Sequence, residues 1–289
     1  MNDSLYRFLF EKLAVRGGLI QLEASWQAVL ERRDYPAPVR RVLGQAMAAA
    51  ALLSATIKFD GTLTLQLQGQ GPMRLLLVQC TAQGTLRGLA RWEGEIEAER
   101  LDALCGPDGA LLIGIDPGLG KDPYQGVVGL GAGTLRAALE EYFERSEQLP
   151  TRLMLAADHR RAAGMLLQRL PGQEGDSEDW NRIQTLGATL EQGELLGLEP
   201  AQILHRLFHE EDLRLFEADS FSFRCSCSRD RIGDMLRSMG QDEVRDILQE
   251  QQQVAVECQF CGQSYHFDPV DAEQLFTGPV PSQVSRTRH

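Results

Sequence analysis

Apolar residues recur along the chain with two different periods, and the changes of period mark its elements. Residues 5–10 and 18–22 are short apolar runs of strand length. Ser25 is placed to cap a short helix ending before Tyr35-Pro36, and Pro38 suits the first turn of a long helix that runs through Leu53. The alanine-rich middle of that helix lets neighbours approach closely. Residues 62–68 alternate strictly between polar and apolar, residues 73–81 are nearly all apolar, and residues 85–92 follow after Gln83-Gly84. Connections this short demand antiparallel pairing. Strand-like runs at 111–115 and 126–130, a helix over 134–145 and apolar runs at 152–157 and 164–170 complete the block. The fold class expected is α+β: a large N-terminal domain with an antiparallel β-sheet and packed helices, then a helical linker and a small C-terminal zinc-binding domain.

The pattern breaks at residues 171–179, an acidic stretch of small residues read as structureless. Beyond it, Trp180, Ile183, Leu186 and Leu190 recur at helical spacing. A further helix from Pro200 places Ile203, Leu204, Leu207 and Phe208 on one face, with His205, Arg206, His209 and Glu210 on the other. Helices this short are marginal alone and need neighbours. Near the C-terminal end, Ser228 caps a helix carrying Ile232, Met235, Leu236 and Met239, and residues 242–250 form another. Residues 254–256 and 265–267 make a hairpin, and Asp268-Pro269-Val270-Asp271 opens a last helix. The expected division is 1–177, 178–223 and 224–289. The last part holds few large apolar side chains, and a module of that size usually needs a metal or disulfides to fold.

Composition narrows the function. The formal net charge of −12 repels a phosphate backbone, and the short basic end at 285–289 is too small to reverse that. No nucleic-acid role is expected. The N-terminus carries an acid, Asp3, where a secretory signal is basic, and the most apolar stretch, 42–57, is too short to span a bilayer. A cytoplasmic protein with no membrane role is expected.

In that compartment paired cysteines are metal ligands or redox devices rather than structural staples. Cys225-Ser226-Cys227 is separated by thirty residues from Cys258-Gln259-Phe260-Cys261. Residues two apart on an extended segment project to one side, so Cys225 and Cys227 can offer both sulfurs to one ion. Cys258 and Cys261 have the gap of a zinc turn, with Gly262 where the backbone must fold tightly. The spacing points to one Zn²⁺ per chain, held by four sulfurs. Two residues of strand advance put the α-carbons of Cys225 and Cys227 ~6.6 Å apart, near the limit for a disulfide, so a bridge there would be strained and easily reduced. Arg224, Arg229 and Arg231 flank this pair, and their charge favours reactive thiolates. Zinc binding carries about 10–16 kcal/mol of folding free energy in such modules, so consuming the thiolates would unfold the module and expose Trp180, Ile183, Ile203, Leu207 and Phe208. Three readings stay open: a redox switch, a zinc-ribbon interaction module of constant activity, and a thiol-disulfide oxidoreductase. The last is disfavoured because no Cys-x-x-Cys here opens a helix.

No catalytic constellation or nucleotide site accompanies the cysteines. Gly129-Leu130-Gly131-Ala132-Gly133-Thr134 and Gly118-Leu119-Gly120-Lys121 match neither the dinucleotide nor the phosphate-loop pattern and are read as loops. Cys80 lies in an apolar strand and reads as buried and inert. Cys105 has no partner at useful spacing. His159, His205 and His209 have no hydrolase arrangement around them, and His266 faces an already complete shell of sulfurs.

The chain resembles heat shock protein 33, a redox-regulated holdase chaperone, over nearly its whole length. The likeness is carried by Ser54-Ala55-Thr56-Ile57-Lys58-Phe59-Asp60-Gly61, Pro123-Tyr124-Gln125-Gly126 and Tyr142-Phe143, and by Ser146-Glu147-Gln148-Leu149-Pro150-Thr151, Leu207-Phe208-His209-Glu210-Glu211 and the Cys-x-Cys…Cys-x-x-Cys set. The resemblance implies an ATP-independent chaperone, not an enzyme, that is inactive while reduced and zinc-bound. It implies Cys225, Cys227, Cys258 and Cys261 as ligands, with disulfides Cys225–Cys227 and Cys258–Cys261 on oxidation. It further implies a metastable linker over about 178–223, unfolded or misfolded proteins as clients, and a homodimer as the oxidised form.

Overall fold

A computed structural model describes residues 3–57, 59–118, 122–131, 133–171 and 177–277. The acidic residues 172–176, the Leu119-Gly120-Lys121 part of one glycine turn and Ala132 of the other, Lys58, and the basic end at 285–289 lie outside it. The chain separates into two compact units, Met1–Arg224 and Cys225–His289.

In the first unit, β1 (Ser4–Phe10) and β2 (Val15–Leu22) form a hairpin followed by helices α1 (Ala24–Leu30) and α2 (Ala37–Thr56). The meander β3 (Thr62–Gln68), β4 (Met73–Thr81) and β5 (Thr85–Trp92) pairs antiparallel as its short turns require. After a short helix α3 (Leu101–Cys105) come β6 (Ala110–Asp116) and β7 (Tyr124–Gly129), then α4 (Leu135–Tyr142), capped by Thr134. The helix expected over 134–145 continues only as a π-helical turn, Phe143–Glu147. The hairpin β8 (Thr151–Ala157) and β9 (Ala162–Arg169) precedes three helices, α5 (Ser177–Ala188), α6 (Gln192–Gly197) and α7 (Pro200–Phe208). Three short strands end the unit: β10 (Leu213–Leu215), β11 (Asp219–Ser220) and β12 (Ser222–Phe223).

One sheet has the order β10-β1-β2-β9-β8, with β11 also on β1; the other runs β12-β5-β4-β3-β6-β7, antiparallel except for β12 beside β5. Helix α2 packs on strands of both sheets. Its small residues make this possible: Ala46 and Ala48 to Ala51 are at most 1% exposed, and a Cβ on Gly44 would overlap Ala157 and the Trp26 ring. The first sheet is covered on both faces. Alternation on its strands sends Leu5, Ile20 and Leu166 toward α2, and Phe8, Phe10, Leu19 and Leu167 to the opposite side. There Trp180, Ile183, Leu195, Ile203, Leu204, Leu207 and Phe208 of α5–α7 cover them, forming a second core. This explains the continuous apolar run in β9, whose residues are buried on both faces.

Two expectations about helix starts change. Ser25 lies buried inside the first turn of α1 rather than capping it. The open backbone N–H groups of Glu23, Ala24 and Ser25 donate instead to the Asp3 carboxylate, at 2.6, 2.9 and 2.7 Å. A negative charge suits a helix N-terminus, so a residue twenty positions away supplies the cap. Helix α5 starts at Ser177, inside the stretch read as structureless, because Glu178 and Asp179 favour a first turn.

Candidate metal centre

The second unit is built from α8 (Arg229–Met239), α9 (Gln241–Gln251), the hairpin β13 (Val254–Glu257) and β14 (Ser264–Phe267), and α10 (Pro269–Thr277). Ser228 caps α8 by accepting from the Arg231 N–H, and Asp268 and Asp271 accept each other's backbone N–H at the start of α10. Its core is small: Leu236, Val244, Val254, Phe267 and Ala272 are the buried apolar residues among those described.

The four cysteines reach one point from two segments. Cys225 and Cys227 lie in the extended chain just before α8. Cys258 and Cys261 lie in the turn between β13 and β14, where the Gly262 N–H donates to the Cys258 carbonyl at 2.7 Å and the Cys258 N–H to that of Gln263 at 2.9 Å. Gly262 has φ +71°, a conformation that a side chain would strain. All four Sγ atoms lie within 4.8 Å of one another, with Cys225–Cys258 at 3.6 Å and Cys227–Cys261 at 3.3 Å. These are thiols, since a disulfide bond would be about 2.05 Å long. A zinc ion with ~2.3 Å bonds to four sulfurs spaces them ~3.8 Å apart, which fits. Among the described residues no other group of three or more His, Cys, Asp or Glu converges in this way.

Electrostatics distinguishes the sulfurs. Burial opposes ionisation of Cys225, but the Cys227 backbone N–H and the neighbouring thiols outweigh it and lower its pKa to about 7. Cys258 and Cys261 are shifted upward, by burial first and by sharing hydrogen bonds with the other thiols. In the metal-free cluster, negative charge therefore gathers on Cys225. The flanking arginines are engaged elsewhere. Arg229 pairs with Asp271 at 2.7 Å, donates to the His266 carbonyl and lies over the Phe267 ring, while Arg231 donates to the Ser226 carbonyl. The expectation that their charge activates the sulfurs gives way to a structural role.

His266 is exposed on the outer side of β14 and is not among the converging groups. Tyr265, its neighbour on the other side, donates its hydroxyl to Cys227 Sγ at 3.1 Å, a contact the sequence pattern did not single out because it depends on strand register. Cys80 and Cys105 are fully buried, and burial raises their pKa values to about 11 and about 12, consistent with inert thiols. His205 and His209 lie on the exposed face of α7. No helix among the described residues is long and apolar enough to cross a membrane.

The family model described as Hsp33 protein matches residues 3–268. A 33 kDa chaperonin of Nitrosococcus oceani is 51% identical over 288 residues, spanning 100% of this chain and 99% of that protein. One from Chromobacterium violaceum is 47% identical over 289 residues, spanning 100% and 98%. The crystal structure of a 33 kDa chaperonin, a heat shock protein 33 homolog from Thermotoga maritima, superposes with a TM-score of 0.83 at 25% identity, covering 95% of this chain and 98% of that one.

Proposed function

The chain belongs to the Hsp33 family, a family of chaperones rather than enzymes, and from that premise we propose that it is a redox-regulated, ATP-independent holdase that protects unfolding proteins under oxidative stress in the cytoplasm. In this reading Cys225, Cys227, Cys258 and Cys261 hold one Zn²⁺ while reduced, and the chaperone is idle. The ion, when bound, supplies a cross-link between two segments and keeps the sulfurs deprotonated. Oxidation of four thiols by two molecules of hydrogen peroxide forms two S–S bonds and releases four waters, and sulfurs tied up in disulfides no longer bind zinc.

The observation that carries the reading is the thiol cluster set in a unit with so few buried apolar residues. At roughly 1.5–3 kcal/mol for each large side chain, that core is weaker than the about 10–16 kcal/mol of apparent zinc binding in small modules. Disulfides Cys225–Cys227 and Cys258–Cys261 leave nothing covalent between the two segments, so the unit loses its tie. Pairing Cys225 with Cys258 and Cys227 with Cys261 would instead staple the fold. Unfolding then spreads to residues 178–223, the metastable linker between parts 1–177 and 224–289, and uncovers apolar surface for unfolded clients. The oxidised protein acts as a homodimer.

The test measures zinc content, free thiols and suppression of client aggregation together, before and after peroxide. The expected outcome is about one zinc released and four thiols lost per chain, disulfides mapped within each segment, and a gain in suppression. Equal suppression before and after oxidation sinks the switch and leaves a constitutive interaction module.

A further inference from the structure

We infer that Tyr265 is a positioning residue that sets how readily Cys227 is oxidised; its purpose rests on the zinc-switch reading above, whereas its test does not. Tyr265 is half-buried on β14 opposite Val256 of β13, with Ser264 and His266 exposed on the other side of the strand. Its ring packs on the core of the second unit, which fixes the hydroxyl where it donates to Cys227 Sγ at 3.1 Å. Cys227 is also the sulfur of the first segment closest to the second one, 3.3 Å from Cys261. A thiolate that accepts a hydrogen bond has less electron density available for attack.

Oxidation by hydrogen peroxide begins when a sulfur attacks the O–O bond. An S–O bond forms, the O–O bond breaks, and hydroxide leaves and takes up a proton as water. The sulfur is oxidised to a sulfenic acid and the peroxide is reduced. A second thiol then attacks that sulfur, the S–S bond forms and water departs. The hydroxyl of Tyr265 restrains the first event at Cys227 and leaves the other three sulfurs unrestrained, so the order of attack is biased away from Cys227.

The decisive variant is Tyr265→Phe, which keeps the ring and removes the donor. Reduced, zinc-loaded full-length protein is alkylated with iodoacetamide, and the rate at each cysteine is resolved by peptide mass spectrometry. Cys227 is expected to react roughly 3- to 10-fold faster, given a charge-assisted hydrogen bond and the partial sensitivity of thiolate attack to basicity. The other three should stay within about twofold of wild type. Zinc content should remain at one per chain, and peroxide-driven zinc release, followed with a metallochromic dye, should accelerate. Val256→Ala loosens the packing beneath the ring but spares the donor, and should not raise Cys227 selectively. An unchanged Cys227 rate overturns the inference. So does a uniform rise at all four cysteines, or loss of zinc from Tyr265→Phe, since either makes Tyr265 a fold support. These rates are read whether or not oxidation changes aggregation suppression, so failure of the switch and failure of this inference are told apart.

Discussion

Phe208→Ala is the sharpest probe of the helical layer on the first sheet. Phe208 is 1% exposed, and its ring meets Phe10 edge-on at 5.2 Å between centroids and Phe8 at 6.4 Å. Truncating a buried phenylalanine costs about 3–5 kcal/mol, and the ring pairs contribute within that figure. The lost contacts all join α7 to β1, so the cost falls on attachment of the layer and spares the contacts between α2 and the second sheet. A loss of 3–5 kcal/mol raises the open population by roughly two to almost four orders of magnitude. Hydrogen exchange of the reduced, zinc-bound variant should show α5–α7 exchanging faster by that range, with β3–β6 protected as in wild type. Aggregation suppression without oxidant should rise in parallel. Unchanged protection of α5–α7 would refute the reasoning, as would equal loss of protection in β3–β6, because the helices would then not be a separately releasable layer.

Three further outcomes follow from the same contacts. Cys258→Ser should abolish stoichiometric zinc and strip protection from α8–α10, as metal analysis with hydrogen exchange would show; retained protection would mean that the core of five apolar residues suffices. Asp3→Asn keeps the shape but removes the charge from three N–H acceptor bonds, and should lower stability to urea by about 1.5–3 kcal/mol. Burial raises the Cys80 pKa from 9.0 to about 11, so the folded state keeps a proton that the unfolded chain gives up in that window. Stability from this group is complete below pH 9.0 and falls as pH climbs toward about 11, and urea midpoints of Cys80→Ala should fall less steeply over the same range.

Local signals were legible wherever one residue decides one element. The α+β class, the β3–β5 meander, the alternating faces of α7 and the caps at Thr134 and Ser228 all follow from short-range chemistry. The four ligand positions were legible for the same reason, because each pair lies within a single turn or strand. What the sequence pattern left out depends on distant partners. Asp3 caps α1 from another strand, β10 and β11 exist only because β1 offers them an edge, and Tyr265 finds Cys227 only through the register of β14. The flanking arginines misled for the opposite reason. Their proximity to the cysteines in sequence is real, yet Asp271, forty-two positions on from Arg229, claims that charge in space.

Whatever happens at the sulfurs reaches α5–α7 through residues 209–224, so the strength of that stretch decides whether a switch can work. It is held by β10 on β1 over three residue pairs, β11 on β1 over two and β12 on β5 over two. The last of its bonds, from the Arg224 N–H to the Leu86 carbonyl at 3.0 Å, lies one residue before Cys225. Pairings this short hold little free energy beyond the roughly 1–2 kcal/mol per residue needed to order the backbone. Phe221, 9% exposed and packed in the main core, is the one sizeable anchor between β11 and β12. The stretch can therefore fray from Arg224 backward once the following chain is disordered, and Phe221 sets how far that fraying runs before it meets the helices.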